Sequence, residues 1–269
     1  MKKIIALALV LVMMTATLAM LASCGQDTNE NVLICGVTPF EKMNDKDENG
    51  NYTSGFETEF AIEVGKLLGM EVKFQEIDWE QKYSELASGA INCIWNGFTA
   101  NSSDNGTPRS ELVDFTYGYM LNQQCVVIKV DNKDIYKTEA DLVGKTAGVE
   151  GGSAGESYAE AAVGENGKLE KYPAQNKSFL EVKTGAVDFA VVDIVLAKNI
   201  CGKGDFTDLM IVDTIQLASE IYAVGFEKGS PLTAKVNEAI ETLFENGKIM
   251  ELATKYGFEN TVELIKEIK

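Results

Sequence analysis

The sequence predicts an α/β protein of two lobes, each a mainly parallel sheet flanked by helices, joined by two crossing strands. Three observations predict it. Short apolar runs alternate with amphipathic stretches along the chain, the pattern of repeated βα units with helices on both sheet faces. The chain has 269 residues, ample for more than one ordinary core. Two strand-like segments, 126–131 and 219–223, fall where the chain can cross between lobes.

The elements follow in order. Met1-Lys2-Lys3 and an apolar run to Ala22 have the layout of a secretory signal. The run is also about long enough to span a bilayer, and the residues after it decide between the two. Leu21-Ala22-Ser23-Cys24-Gly25 resembles the lipobox of bacterial lipoproteins. That resemblance implies cleavage before Cys24, a diacylglycerol on its thiol, a signal over 1–23 and a polar tether over 24–31. Residues 32–37 read as a buried strand. Phe56, Phe60, Ala61, Val64, Leu67 and Leu68 share a helical face that Gly69 ends. Met70, Val72 and Phe74 alternate as a strand, and Asp78 can cap a helix carrying Trp79, Tyr83 and Leu86. Segments 92–95 and 125–130 are further strands. The alternation restarts with strand 145–149, helices 154–163 and 178–183, strand 189–192 and helix 195–200. Strands 209–212 and 221–226 follow. Helices then run to the end, with Pro231 in the first turn and Gly247 and Gly257 as breaks.

Composition narrows the function. There are 24 Lys+Arg against 41 Asp+Glu, a formal charge of −17, and no histidine. Loss of Lys2 and Lys3 with the signal takes the charge to −19, an acidity expected on the solvated exterior. Phosphate recognition relies on clustered Lys/Arg, so no nucleic acid is expected. Without histidine there is no Ser-His-Asp or Cys-His catalysis and no His-ligated metal. Cys35, Cys93, Cys125 and Cys201 form no C-x-x-C pair, so no zinc site is expected. They are buried free thiols or disulfides whose pairing the sequence leaves open. Residues 45–51 lack the closing Glu of a calcium loop. No metal and no cofactor are expected.

Three segments carry chemistry. Trp95-Asn96-Gly97-Phe98-Thr99 ends a buried strand, where ligands of open α/β sheets sit. Gly97 would admit a ligand to the backbone, and the Thr99 hydroxyl can donate and accept. Arg109 is a scarce arginine whose fork suits a carboxylate; its alternative is a surface pair with Glu111 or Asp114. Gly148-Val149-Glu150-Gly151-Gly152-Ser153-Ala154 leads into a helix whose free amides suit a small anion, though a tight turn reads equally well. It is neither a P-loop nor a dinucleotide fingerprint. Asp193 ends the run Gly185-Ala186-Val187-Asp188-Phe189-Ala190-Val191-Val192 and can meet an ammonium group. Its alternative is to cap the next helix.

These segments, with Gly55-Phe56-Glu57-Thr58-Glu59, Asp78-Trp79, Leu86-Ala87-Ser88-Gly89-Ala90-Ile91-Asn92-Cys93-Ile94 and Arg109-Ser110-Glu111-Leu112-Val113-Asp114-Phe115-Thr116, resemble in order and spacing the polar amino-acid solute-binding proteins of ABC importers. The resemblance covers nearly the whole mature chain. It implies the two-lobed fold of periplasmic binding proteins, with lobe 1 over 32–126 plus 223–269 and lobe 2 over 127–222. It implies a monomer that captures a free amino acid by hinge closure and delivers it to ABC permease subunits, held to the membrane by its lipid. By the same resemblance Arg109 clamps the ligand α-carboxylate, with amides around Ser153 and Ala154 on the same group. Asp193 takes the α-ammonium with help from the Asn96–Gly97 stretch and Thr99, and Trp79 and Phe40 pack on the side chain. Residues 100–108 are longer than the family pattern and lie beside the proposed clamp. Asn92 stands where the family usually has aspartate, and Gly118 where it has proline. A sensory binding protein shares the same pocket. An enzyme on this scaffold would need Glu41 or Glu150 as a general acid.

Overall fold

The computed structural model describes residues 31–268; the signal, Cys24 and all of the tether except Asn31 lie outside the described residues. The chain folds as β1 (Val32–Val37), β2 (Asp45–Lys46), β3 (Tyr52–Ser54), α1 (Phe56–Leu68), β4 (Glu71–Glu76), α2 (Lys82–Ala87), β5 (Cys93–Ile94), β6 (Ser103–Asp104), β7 (Thr107–Pro108) and α3 (Arg109–Leu112). It continues through β8 (Asp114–Phe115), β9 (Gly118–Lys129), β10 (Thr146–Glu150), α4 (Ala154–Val163), β11 (Lys168–Tyr172), α5 (Gln175–Thr184), β12 (Phe189–Asp193) and α6 (Ile194–Ile200). The last elements are β13 (Leu209–Ile211), β14 (Ser219–Tyr222), β15 (Gly225–Phe226), α7 (Leu232–Glu245), α8 (Lys248–Tyr256) and β16 (Val262–Ile265).

The strands form two principal sheets. The first lobe has the order β4-β1-β5-β15-β8; the second has β11-β10-β12-β9-β13, with β14 and β16 also on β9. Both are mixed. β1 runs parallel to β5, and β10 parallel to β11 and β12, while β15, β9, β13 and β14 pair antiparallel to their neighbours. The apolar runs made β1, β5, β10, β12 and the second half of β9 legible because they are largely buried on both faces. Along β9, Cys125 and Val127 join one apolar cluster and Val126 and Ile128 another, as expected where successive side chains alternate between covered faces. In α1, Phe56, Phe60, Ala61 and Val64 are fully buried, and Gly69 ends the helix in the left-handed region at φ 68°. Leu67, in its last turn, is 50% exposed.

The two segments expected to cross between lobes fall on β9 and β14. Gln124–Val127 of β9 pair with β12, while Met120–Gln123 pair with β14, so the strand runs out of the second sheet towards the first lobe. The apolar half of β9 at 125–130 is the part the sequence marks; its polar half, Asn122-Gln123-Gln124, carries no such signal. Segment 219–223 coincides with β14. β11 (KLEKY) and β16 were not foreseen. Each has one strand neighbour, β10 and β9 respectively, and so can carry charges on its open side. Residues 100–108, the longer stretch, fold into the antiparallel ribbon β6–β7. The four described cysteines are free, with the Cys35 and Cys93 sulfurs 3.6 Å apart across β1 and β5.

Candidate functional site

The first-lobe side begins where β5 ends. Gly97 has φ 55°, and a side chain there would come within 2.9 Å of the Phe40 ring, so the turn and its packing both require glycine. Its N–H donates to Glu57 Oε1 at 2.8 Å, and that oxygen also accepts from the Tyr119 hydroxyl. Asn96 Nδ2 donates to the Thr38 carbonyl at 3.0 Å and to Asn44 Oδ1 at 2.7 Å. The Thr38 hydroxyl lies 2.6 Å from Asn96 Oδ1. Buried groups of the loop after β1 (Thr38, Asn44), of α1 (Glu57) and of β9 (Tyr119) thereby hold the turn rigid.

Arg109 opens α3 and is 1% exposed. Its Nε and Nη2 donate to Asp104 Oδ1 at 2.9 and 2.8 Å, and Nη1 to the Thr99 carbonyl at 3.1 Å. Neither Glu111 nor Asp114 pairs with it; Asp114 holds Lys228. A second cation, Lys82, is 2% exposed and 3.4 Å from Asp104 Oδ2. Lys82 Nζ and Arg109 Nη2 both reach the Gly152 carbonyl, at 2.8 and 3.3 Å, so two first-lobe cations meet one second-lobe carbonyl. Burial, then the adjacent guanidinium, pushes the Lys82 ammonium down to about 8. The Asp104 carboxyl lies below its ordinary value: burial opposes ionisation, but Arg109 and Lys82 outweigh it.

On the second-lobe side, β10 ends at Glu150 and leads through Gly152, at φ 71°, into α4. Ser153 caps α4, its hydroxyl accepting from the Glu156 N–H at 3.1 Å. The Ser153 N–H donates to the Glu150 carbonyl at 3.3 Å. Glu150 is buried and lies within 3.3 Å of the Thr38 hydroxyl across the cleft. Asp193 ends β12 at the N-cap of α6, yet its carboxylate makes no capping bond. It accepts instead from Asn122 Nδ2 at 2.5 Å, Gln124 Nε2 at 2.6 Å and Gln175 Nε2. Asn122 and Gln124 also donate to Glu220 Oε2, at 2.6 and 3.0 Å. Two neutral amides thus bridge two buried carboxylates. Burial drives Glu150 up to about 8 and Glu220 and Glu57 up to about 7, with Asp193 adding to each. Asp193 is itself raised by burial, against its hydrogen bonds.

A small cavity, with about 10 Å³ of room for water, brings these parts together. Trp79, Asn96, Gly97, Thr99, Arg109, Ser153, Ala154 and Asp193 line it, as do Gln124, Glu150 and Gln175. Phe40 does not line it; its ring packs behind Gly97. Trp79 meets Phe98 edge-on at 5.6 Å between centroids. Lys82, Asp104, Asn122, Gln124, Gln175 and Glu220 escape the sequence reading. Most of them have partners far along the chain, such as Asn122 and Glu220, 98 positions apart, while Asp104 meets Arg109 five residues on. The expected exterior acidity is also partly internal, since Glu57, Glu150, Asp193 and Glu220 are buried. The arrangement can pair both charges of a zwitterion: a guanidinium at one end, carboxylates at the other.

Residues 33–260 match the family described as bacterial extracellular solute-binding proteins, family 3. The arginine-binding extracellular protein ArtP of Bacillus subtilis (strain 168) is 26% identical over 236 residues, 87% of this chain and 89% of that one. The L-cystine-binding protein TcyA of the same organism is 25% identical over 269 residues, 93% of this chain and 96% of that one. An ABC uptake transporter substrate binding protein from Streptococcus pneumoniae, solved with bound histidine, is 30% identical with a TM-score of 0.76. That alignment covers 87% of this chain and 95% of that one.

Proposed function

The chain belongs to the bacterial extracellular solute-binding proteins of family 3, and on that premise we propose that its cleft captures a cationic L-α-amino acid. It has the two-lobed α/β fold of periplasmic binding proteins and is the amino-acid-binding component of an ABC uptake transporter, not an enzyme. Arg109 takes the ligand α-carboxylate, with the α4 amides at Ser153 and Ala154 on the same group. Asp193 takes the α-ammonium, with Thr99 and the Gly97 turn beside it, and Trp79 covers the side chain. β9 and β14 act as the hinge, and closure joins the two half-sites. The lobes divide at the crossing strands, near 126 and 223.

The observation that carries the cationic reading is the charge count around the cavity. Asp104 offsets one of the two cations, Arg109 and Lys82. Asp193, Glu150 and Glu220 stand at or behind the opposite wall, and Glu57 behind the Gly97 turn, with no cation paired to them among the described residues. A ligand side chain carrying a second positive charge satisfies carboxylates that burial otherwise drives towards protonation. The similarity to an arginine-binding relative supports the same reading. A calorimetric panel of L-arginine, L-lysine, L-histidine, L-glutamine and L-glutamate tests it. Tightest binding by a cationic member is expected, and tightest binding by glutamate or glutamine would overturn the cationic assignment.

The lipobox-like stretch Leu21-Ala22-Ser23-Cys24-Gly25 supports a site of action outside the cytoplasmic membrane, with a tether through a lipid on Cys24. Its partners are then the permease subunits of the importer. Cys24→Ser is expected to abolish labelling by a palmitate analogue; continued labelling would refute the anchor.

A further inference from the structure

We propose that Asp104, on the β6–β7 ribbon, is a positioning residue that presents Arg109 to the ligand carboxylate. The ribbon is built for this. Its tip, Asn105-Gly106, has φ 51° and 79°, the paired positive values of a tight hairpin turn that sets strand register. Ser103 pairs with Pro108 and Asp104 with Thr107, and the Arg109 N–H closes the base on the Ser102 carbonyl at 2.9 Å. Asp104 on β6 and Arg109 at the start of α3, at the base of the ribbon, are thereby held side by side.

Asp104 stands behind the clamp. Arg109 lines the ligand cavity, whereas Asp104 lines an adjoining groove with Lys82, Tyr83, Gly152 and Glu156. One Asp104 oxygen holds the Nε–Nη2 edge of the guanidinium, and the other accepts from the Tyr83 hydroxyl at 2.5 Å and faces Lys82. A guanidinium has five N–H donors in a fixed plane. Fixing one edge on Asp104 and Nη1 on the Thr99 carbonyl sets the plane, so no rotamer entropy remains to be lost on capture. Asp104 also offsets one of two buried like charges and leaves about one net positive charge for the incoming carboxylate.

The inference rests on the amino-acid reading, and its test separates the two. Affinities for L-arginine and for agmatine, the same molecule without the carboxylate, are compared in the wild type, Asp104→Asn and Gly106→Val. The last strains the ribbon turn at φ 79°, where its Cβ meets nothing within 4 Å. Both variants are expected to weaken L-arginine about tenfold or more while agmatine changes about twofold or less. Equal losses for both ligands, unchanged L-arginine affinity, or tighter L-arginine binding would overturn the positioning role. Failure of the wild type to bind L-arginine would count against the functional reading alone. A ligand-free readout then remains, because Arg109 is the chain's single arginine and its Nε–H gives one nitrogen-15 resonance. That proton is expected to be exchange-protected in the wild type and exposed in Asp104→Asn. Rapid exchange in both would also overturn the proposal.

Discussion

At the first-lobe end of the cleft, Arg109 and Lys82 are paired with Asp104, an opposite charge. At the second-lobe end, Asp193 and Glu220 are held by the neutral amides of Asn122, Gln124 and Gln175. The titration directions differ accordingly. Asp104 lies below its ordinary value, whereas Glu150 and Glu220 are pushed up to about 8 and about 7. The first end is compensated except for about one positive charge, which Asp104 leaves over from Arg109 and Lys82. The second is polar but uncompensated, and a ligand cation is what it lacks electrostatically. The proposed cationic reading accordingly assigns specificity for charge to the second-lobe end and geometric precision to the first.

The comparison can be broken most severely at Arg109. Arg109→Ala removes the clamp and leaves Asp104 with Lys82 alone, so amino-acid affinity is expected to fall by about 3 kcal/mol or more. Calorimetry giving near-wild-type affinity would remove Arg109 from the site. Asp193→Asn is expected to cost about 2 kcal/mol for L-amino acids and less for their des-amino analogues. Equal losses in both ligand classes would mean that Asp193 does not face the ammonium group.

A milder probe is pH. Glu57, Glu150 and Glu220 have folded pKa values raised to about 7, about 8 and about 7. The folded state therefore binds more protons than the unfolded chain between the ordinary carboxylate range and pH 8. Stability of the ligand-free protein is full below that range and declines as pH rises through 7 to 8. Melting temperature should fall across this window, and the fall should be shallower in Glu150→Gln. A flat profile in the wild type would show these carboxylates ionised without penalty. The smallest expected effect is that of Ser153→Ala, which removes the α4 cap and should cost about 1 kcal/mol of folding stability in urea titration.

The sequence carried much of the fold and part of the site. Runs such as CVVIKV and FAVVD announce themselves because both faces of their strands are covered. Arg109 and Asp193 each had a bland alternative, a surface pair and a helix cap, and it was the family resemblance that singled them out; Asp193 in fact leaves its capping role unused. Asp104 was hidden within the extra residues 100–108, which the sequence marks only as longer than the family pattern and which fold into a ribbon that puts Asp104 against Arg109. Gln124 and Gln175 were hidden because an amide in a strand or a first helical turn looks like any solvated residue until its partner, Asp193, is in place. Charge counting located the acidity but not its depth. Four carboxylates lie inside, and that depth is set by packing between segments such as β14 and β9, which lie far apart in sequence.

The asymmetry between the two ends is tested most directly by the protons exchanged on binding. L-arginine is titrated calorimetrically at about pH 6.5 in buffers of different ionisation enthalpy. A ligand cation that settles among Asp193, Glu150 and Glu220 lowers their pKa values and expels protons. Net proton release is the predicted result. Binding with no release, or with net uptake, would contradict the account.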